Sequence, residues 1–159
     1  MRSWGCGRGR GEPNVSFIYD YGLEWIAKND ITNADLRLFL VMADSTCGSE
    51  RGAKFVADFA VRDEYDAVGY VRKDLAAVLG TLDLTSHFEK VTATAPVWTT
   101  LAAASKTCIG MVLFVFITND AASRNIAFIN DSPLFPFNGI GDDVTLTPSP
   151  TTGILRLAN

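Results

Sequence analysis

The sequence predicts a mainly β protein: a β-sandwich or barrel-like domain with one short N-terminal helix and a flexible N-terminal arm. Three observations predict it. Short apolar runs rich in β-branched and aromatic residues recur along the chain, separated by Gly, Pro, Asn and Asp. Helical periodicity is confined to one stretch near the start. The length, 159 residues, suits a single domain, and a compact fold of this size buries ~68–70% of its unfolded surface.

Residues 1–13 differ from the rest. They hold four of the 13 glycines and three arginines against one acid, so the remaining residues carry −6 of a whole-chain charge of −4. Glycine loses the most backbone entropy on ordering, which predicts a flexible arm separate from a β-rich domain over 14–159. Arg2, Trp4, Arg8 and Arg10 are the residues with which such an arm would dock on an acidic surface of a neighbour; a solvated tail is the alternative. Two Arg-Gly steps are a weak echo of RNA-binding tracts.

Phe17, Tyr21 and Trp25 recur at helical spacing, with Ile18 and Ile26 beside them, predicting a helix over 17–27. Gly22 weakens it by about 1 kcal/mol relative to alanine. Lys28 suits the C-terminal dipole and Asn29 a left-handed cap. The apolar run 36–43 reads as a strand buried over most of its length. Residues 44–59 read as a long loop with a helical turn at 55–59. Residues 70–73 and 75–82 read as a hairpin or meander, with a helical turn over 75–79 as the alternative. Two short strands follow at 87–93 and 97–101, separated around Pro96, which cannot sit in a central ladder. Residues 107–118 form the strongest strand pattern, turned at 119–123 into a partner at 125–130. Beyond Asn130 the chain is marked by Pro133, Pro136, Pro148 and Pro150, with short alternating strands at 144–147 and 154–157.

Composition excludes several classes. Hydrophobic residues make up 48% and charged residues 20%, which argues against wholesale disorder. A net charge of −4 makes the domain a poor nucleic-acid binder. The longest apolar stretch, 108–117, falls far short of the ~20 residues that span a bilayer. The start lacks the apolar core of a secretory signal. Cys6, Cys47 and Cys108 are odd in number and form no C-x-x-C pair, so they read as free thiols made in a reducing cytoplasm.

Residues with catalytic chemistry are sparse. His87 is the only histidine, so no second base can serve a Cys or Ser nucleophile. Asp131, Asp142 and Asp143 flank one Pro-rich loop and could converge on a hard cation, but the spacing of a calcium loop is missing and turn-capping explains them. Asp63-Glu64-Tyr65-Asp66 reads as a solvated face. The Gly-rich arm follows no strand and lacks G-K-[ST], so it is no phosphate loop. Phe135, Phe137 and Trp98 read as core. The sequence therefore leads us to expect no catalytic residue, metal or cofactor, and a protein that is not an enzyme. A small carbohydrate-binding β-module stays open, with Trp98, Tyr70 or Phe137 as stacking platforms.

Three stretches carry a family likeness. Tyr19-Asp20-Tyr21-Gly22-Leu23-Glu24-Trp25-Ile26-Ala27-Lys28-Asn29-Asp30-Ile31 is a short helix, a small polar turn and an isoleucine, and it runs into Leu36-Arg37-Leu38-Phe39-Leu40-Val41, similar to an "IKVALV" strand. Ile126-Ala127-Phe128-Ile129-Asn130 is similar to an "LIAYID" strand. Residues 139–157 close with a polar turn, a "VTLT"-like strand and a terminal "GILRL". Together these resemble a family of small virion structural proteins of tailed bacteriophages. The likeness covers about 17–157, is strongest at the two ends, and has no counterpart to the Gly/Arg arm. The resemblance implies a non-enzymatic building block located in the virion and assembled in the host cytoplasm. Its leading role is a head decoration or cement protein on the outer capsid surface, with the major capsid protein and copies of itself, as a trimer, for partners. A neck, tail or fibre component is the other role; absence of a coiled coil or repeated shaft sequence argues against a fibre.

Overall fold

The computed structural model describes residues 16–83, 88–147 and 154–158. Their chain order is β1 (Phe17–Ile18), α1 (Asp20–Ile26), β2 (Leu36–Met42), β3 (Lys73–Asp74), β4 (Leu79–Asp83), β5 (Phe88–Thr92), β6 (Val97–Leu101), β7 (Cys108–Val115), β8 (Arg124–Ile129), β9 (Asp142–Thr145) and β10 (Leu155–Ala158). Short 3-10 turns lie at Ile31–Asn33 and Val56–Asp58. The molecule is mainly β, and every strand pair is antiparallel.

The strands form a five-stranded sheet ordered β1-β8-β7-β2-β3, a three-stranded sheet β10-β5-β4 and a two-stranded sheet β6-β9. Among the described residues no barrel closes, which corrects the barrel-like alternative. The large sheet ends at both edges on strands of only two residues, too short to carry the ladder onward.

The large sheet is covered on both faces. In β2, Leu36, Leu38, Leu40 and Met42 point into one apolar cluster, while Phe39 and Val41 point into another. Such alternation is the period-two geometry of a strand. The first cluster is completed by Trp98 and Leu101 of the two-stranded sheet and Val91 and Leu155 of the three-stranded sheet. The second is completed by Tyr19, Cys47, Val56 and Phe59 from loops. Burial on both faces explains why 36–42 reads as a continuous apolar run rather than an alternating one.

A β-bulge refines this pattern. Between β7 and β8 the register steps from Leu113 opposite Ala127 to Phe114 opposite Asn125, leaving Ile126 without an opposite residue. Ile126 and Ala127 therefore join the same cluster, and the period resumes with Asn125 on the opposite face. Asn125 is fully buried and donates through Nδ2 to the Ala53 and Phe55 carbonyls, anchoring the loop that covers the second cluster.

Several expectations change. The stripe over 17–27 is not one helix: Phe17 and Ile18 pair with Phe128 and Ala127 as a strand, and α1 starts only at Asp20. The exposed backbone edge of β8 competes with helix formation and wins those two residues. Gly22 is more than a weak helix residue, because a Cβ there would stand 2.5 Å from the Ile126 carbonyl oxygen. Asn29 caps α1 by its side chain, donating Nδ2 to the Trp25 carbonyl, rather than by a left-handed backbone. Residues 70–82 form no hairpin: β3 pairs with β2 and β4 with β5. The strand over 36–42, the turn at 56–58, and the β7–β8 hairpin stand as the sequence predicts. His87, Pro148, Pro150 and the whole 1–13 arm lie outside the described residues.

Candidate functional site

Arg2, Trp4, Arg8 and Arg10, the docking residues the sequence singles out, lie outside the described residues. Two regions stand out. One is an ion-pair network over the second apolar cluster; the other is an apolar, acidic rim around β6.

The network is built on Arg72. Its guanidinium reaches Glu64 through Nε at 2.8 Å and a terminal nitrogen at 2.7 Å, and reaches Asp120 at 2.6 and 3.0 Å. One planar fork thus holds two carboxylates, the geometry for which arginine is suited and lysine is not. Arg62 pairs with the same Glu64 and Asp120. The Tyr70 hydroxyl donates to Glu64 at 2.8 Å and accepts the Leu40 backbone N–H at 3.0 Å, tying the network to β2. Beneath it, Arg72 lies 5.2 Å from the Phe39 ring and 5.6 Å from the Phe114 ring. The side chains of Glu64, Arg72 and Asp120 are 18%, 25% and 30% exposed, so the network is half-buried.

Its electrostatics follow from that placement. Hydrogen bonding from Arg72 holds the Asp120 carboxyl below the usual aspartate range. Hydrogen bonding to Glu64 raises the Arg72 guanidinium further above its ordinary value. Desolvation raises the Tyr70 phenol. The expectation of a solvated face at 63–66 is corrected: Tyr65 is buried, Glu64 sits in the network, and Asp63 pairs with Lys106 at 3.1 Å. The partners of Tyr65 and Asp63 lie tens of residues away, so no local pattern marks those two; the partners of Glu64 on its own side of the chain, Arg62, Tyr70 and Arg72, lie within eight residues of it.

The rim is organised by Tyr65. Its hydroxyl accepts the Gly139 N–H at 2.8 Å and sits 3.0 Å from both the Ala102 carbonyl and Asn138 Oδ1. Gly139 packs so closely that a Cβ would come within 2.3 Å of the Leu101 and Ala102 carbonyls. On either side of Leu101 and Ala102 run two chain segments: the Val68 carbonyl accepts the Ala102 N–H, and the Gly141 N–H donates to Leu101. Gly69, at φ +87°, lies against the Thr100 carbonyl and takes a backbone conformation that side chains resist. These contacts hold out Val68 and Ile140, 83% and 84% exposed, the most exposed large hydrophobic residues described.

The other candidates are dispersed. Asp143 accepts the Thr100 N–H and Asp131 accepts the Ser16 hydroxyl, so these aspartates cap separate segments. Among the described residues no cluster of His, Cys, Asp or Glu is placed to hold a metal. Cys47 and Cys108 are buried free thiols, pushed up to about 12 by desolvation. Trp98 is fully buried with its indole N–H donated to the Val71 carbonyl, and Phe137 is half-buried between Tyr65 and Phe135. Among the described residues no helix is long and apolar enough to cross a membrane. No protein-family model, curated protein or solved structure matches the chain.

Proposed function

We propose that this chain is a structural protein of a tailed-bacteriophage virion, and within it a head decoration or cement protein. It binds the outer capsid surface as a trimer, and its partners are the major capsid protein and copies of itself. One observation carries the reading beyond the sequence likeness. Two of the three stretches that resemble the family come together: α1 seats Gly22 on Ile126 of β8, and β8 and β2 flank β7 in the same sheet, while the third, over 139–157, contributes to the two smaller sheets. A likeness scattered through unrelated parts of the fold would be worth little. Here its opening stretch and 126–130 fall on one packed unit.

The same reading takes the domain as a sandwich, the smaller sheets facing one side of the five-stranded sheet across the first apolar cluster. A rigid β body with apolar residues held at its rim fits a subunit that braces neighbours. The burial of Trp98 and the engagement of Tyr70 in the ion-pair network remove two of the three stacking platforms on which a carbohydrate module would rely.

Mass spectrometry of purified virions tests the proposal. Copies comparable in number with the major capsid protein, released by mild heating while the shell persists, are expected. Copies an order of magnitude fewer would move the chain to the neck, tail or fibre. Absence from the particle would overturn the structural reading altogether.

A further inference from the structure

We infer that the N-terminal arm of one copy docks on the Val68–Ile140 rim of a second copy, its arginines facing the rim's aspartates and Trp4 covering the exposed aliphatic side chains. The inference deepens the proposed function and rests on it for the choice of a second copy as the partner.

Complementarity of charge is the first argument. The rim segments 66–71, 97–105 and 138–145 contain Asp66, Asp142 and Asp143 and no Lys or Arg. The cations next to them in sequence are ion-paired with other carboxylates, Arg72 with Glu64 and Asp120 and Lys106 with Asp44 and Asp63, although the Lys106 charge also reaches Asp66. The arm offers Arg2, Arg8 and Arg10 against the single acid Glu12. It also offers one large apolar anchor, Trp4, a residue type enriched where interfaces hold most of their energy. Val68 and Ile140 are the apolar surface such an anchor needs.

The second argument is position. The chain enters the described fold at Ser16, immediately before β1, at one edge of the five-stranded sheet. Val68 and Val71 belong to the segment leading into β3, at the opposite edge. Four strand spacings of ~4.8 Å place those edges ~19 Å apart. A 15-residue segment reaches at most ~50 Å when fully extended, long enough to leave its own subunit. The root of the arm and the Val68 side of the rim lie at opposite edges, while the Ile140 side follows Phe137, paired with Cys108 of β7. Distinct donor and acceptor surfaces make a head-to-tail contact, and such contacts close into rings when the rotation between copies allows. That is the geometry a cyclic trimer requires.

Two full-length variants test this in solution. Arg2→Glu, Arg8→Glu and Arg10→Glu together make a copy with a dead arm and an intact rim. Val68→Asp with Ile140→Asp makes a copy with an intact arm and a dead rim; both positions are exposed, so circular dichroism and melting temperature should match the parent. By sedimentation velocity the parent is expected to associate, each variant alone to be a monomer, and an equimolar mixture to recover a heterodimer. Added salt should weaken the association, since exposed charges are screened. Leu23→Asp, at an exposed position on α1, should leave association intact. A monomeric parent, association that survives both variants, loss in the Leu23 control, or a mixture that stays monomeric would each overturn the inference. The last outcome includes an arm that folds onto its own subunit. These measurements need no virion, so failure here is distinguishable from absence of the protein from the particle.

Discussion

Replacing Arg72 with methionine should cost the domain about 2 kcal/mol, a value that lies between two known limits. Exposed ion pairs contribute about 0–1 kcal/mol. Removing one partner of a fully buried pair costs about 3–5 kcal/mol, because the remaining charge is left uncompensated. Glu64 and Asp120 are 18% and 30% exposed, and Arg62 remains beside both, so the cost falls between. Methionine keeps an apolar cover over Phe39 and Phe114, which isolates the electrostatic loss from a packing loss. For a chain of this length, ~2 kcal/mol corresponds to a melting-temperature drop of roughly 4–8 °C.

The pH dependence has a definite sign. Asp120 is held below its ordinary value of 3.8 in the folded state, chiefly by its hydrogen bonds from Arg72. Its contribution is therefore present above the unfolded value and lost as pH falls through the folded one. Urea unfolding, followed by tryptophan fluorescence and circular dichroism, should give the full difference between parent and Arg72→Met at pH 7. That difference should shrink below about pH 4, where free aspartates protonate. Combining Arg72→Met with Asp120→Asn should cost less than the sum of the single changes, since both remove the same contact. A difference under about 0.5 kcal/mol at pH 7 matches an ordinary surface substitution and would refute the clamp.

Three further outcomes follow from the packing. Gly22→Ala should destabilise by about 1–3 kcal/mol in chemical unfolding, because backbone crowding at 2.5 Å outweighs a helix-propensity gain of about 1 kcal/mol; a stabilised variant would mean that α1 does not seat on β8. Asn125→Ala should cost about 1–3 kcal/mol by removing the donor to the buried Ala53 carbonyl and to Phe55, and faster amide exchange in residues 53–58 would locate the loss. In a Cys6→Ser background, Cys47 and Cys108 should react with a disulfide reagent only on the timescale of unfolding; rapid native labelling of either would contradict their burial.

How much was legible in the sequence depends on whether a feature was local. The run Leu36 to Met42 announced its own strand because burial on both sheet faces leaves no polar alternation. The turn at 119–123 lies between two β-rich runs, and the hairpin followed. Phe17 shows the opposite case. Its spacing from Tyr21 and Trp25 fits a helix, yet the open edge of β8 takes it as a strand, and no sequence window contains that edge. The arm's Arg and Trp residues were visible as a docking candidate; the exposed aliphatic residues around β6 were not. Val68 and Ile140 become neighbours of the same dipeptide only through the packing of Gly69 and Gly139 against β6.

The sequence by itself determined the mainly β character, the two-sided burial of the strongest strands and the concentration of positive charge in the first thirteen residues. Each depends on residue type and short-range spacing alone. The tertiary structure decided which strands pair, where a bulge reverses the facing of Ile126, and that Arg72 clamps Glu64 and Asp120. It also decided which aliphatic residues stay in water. Those outcomes depend on contacts between residues far apart in sequence, whose energies exist only once the intervening chain has closed its loops.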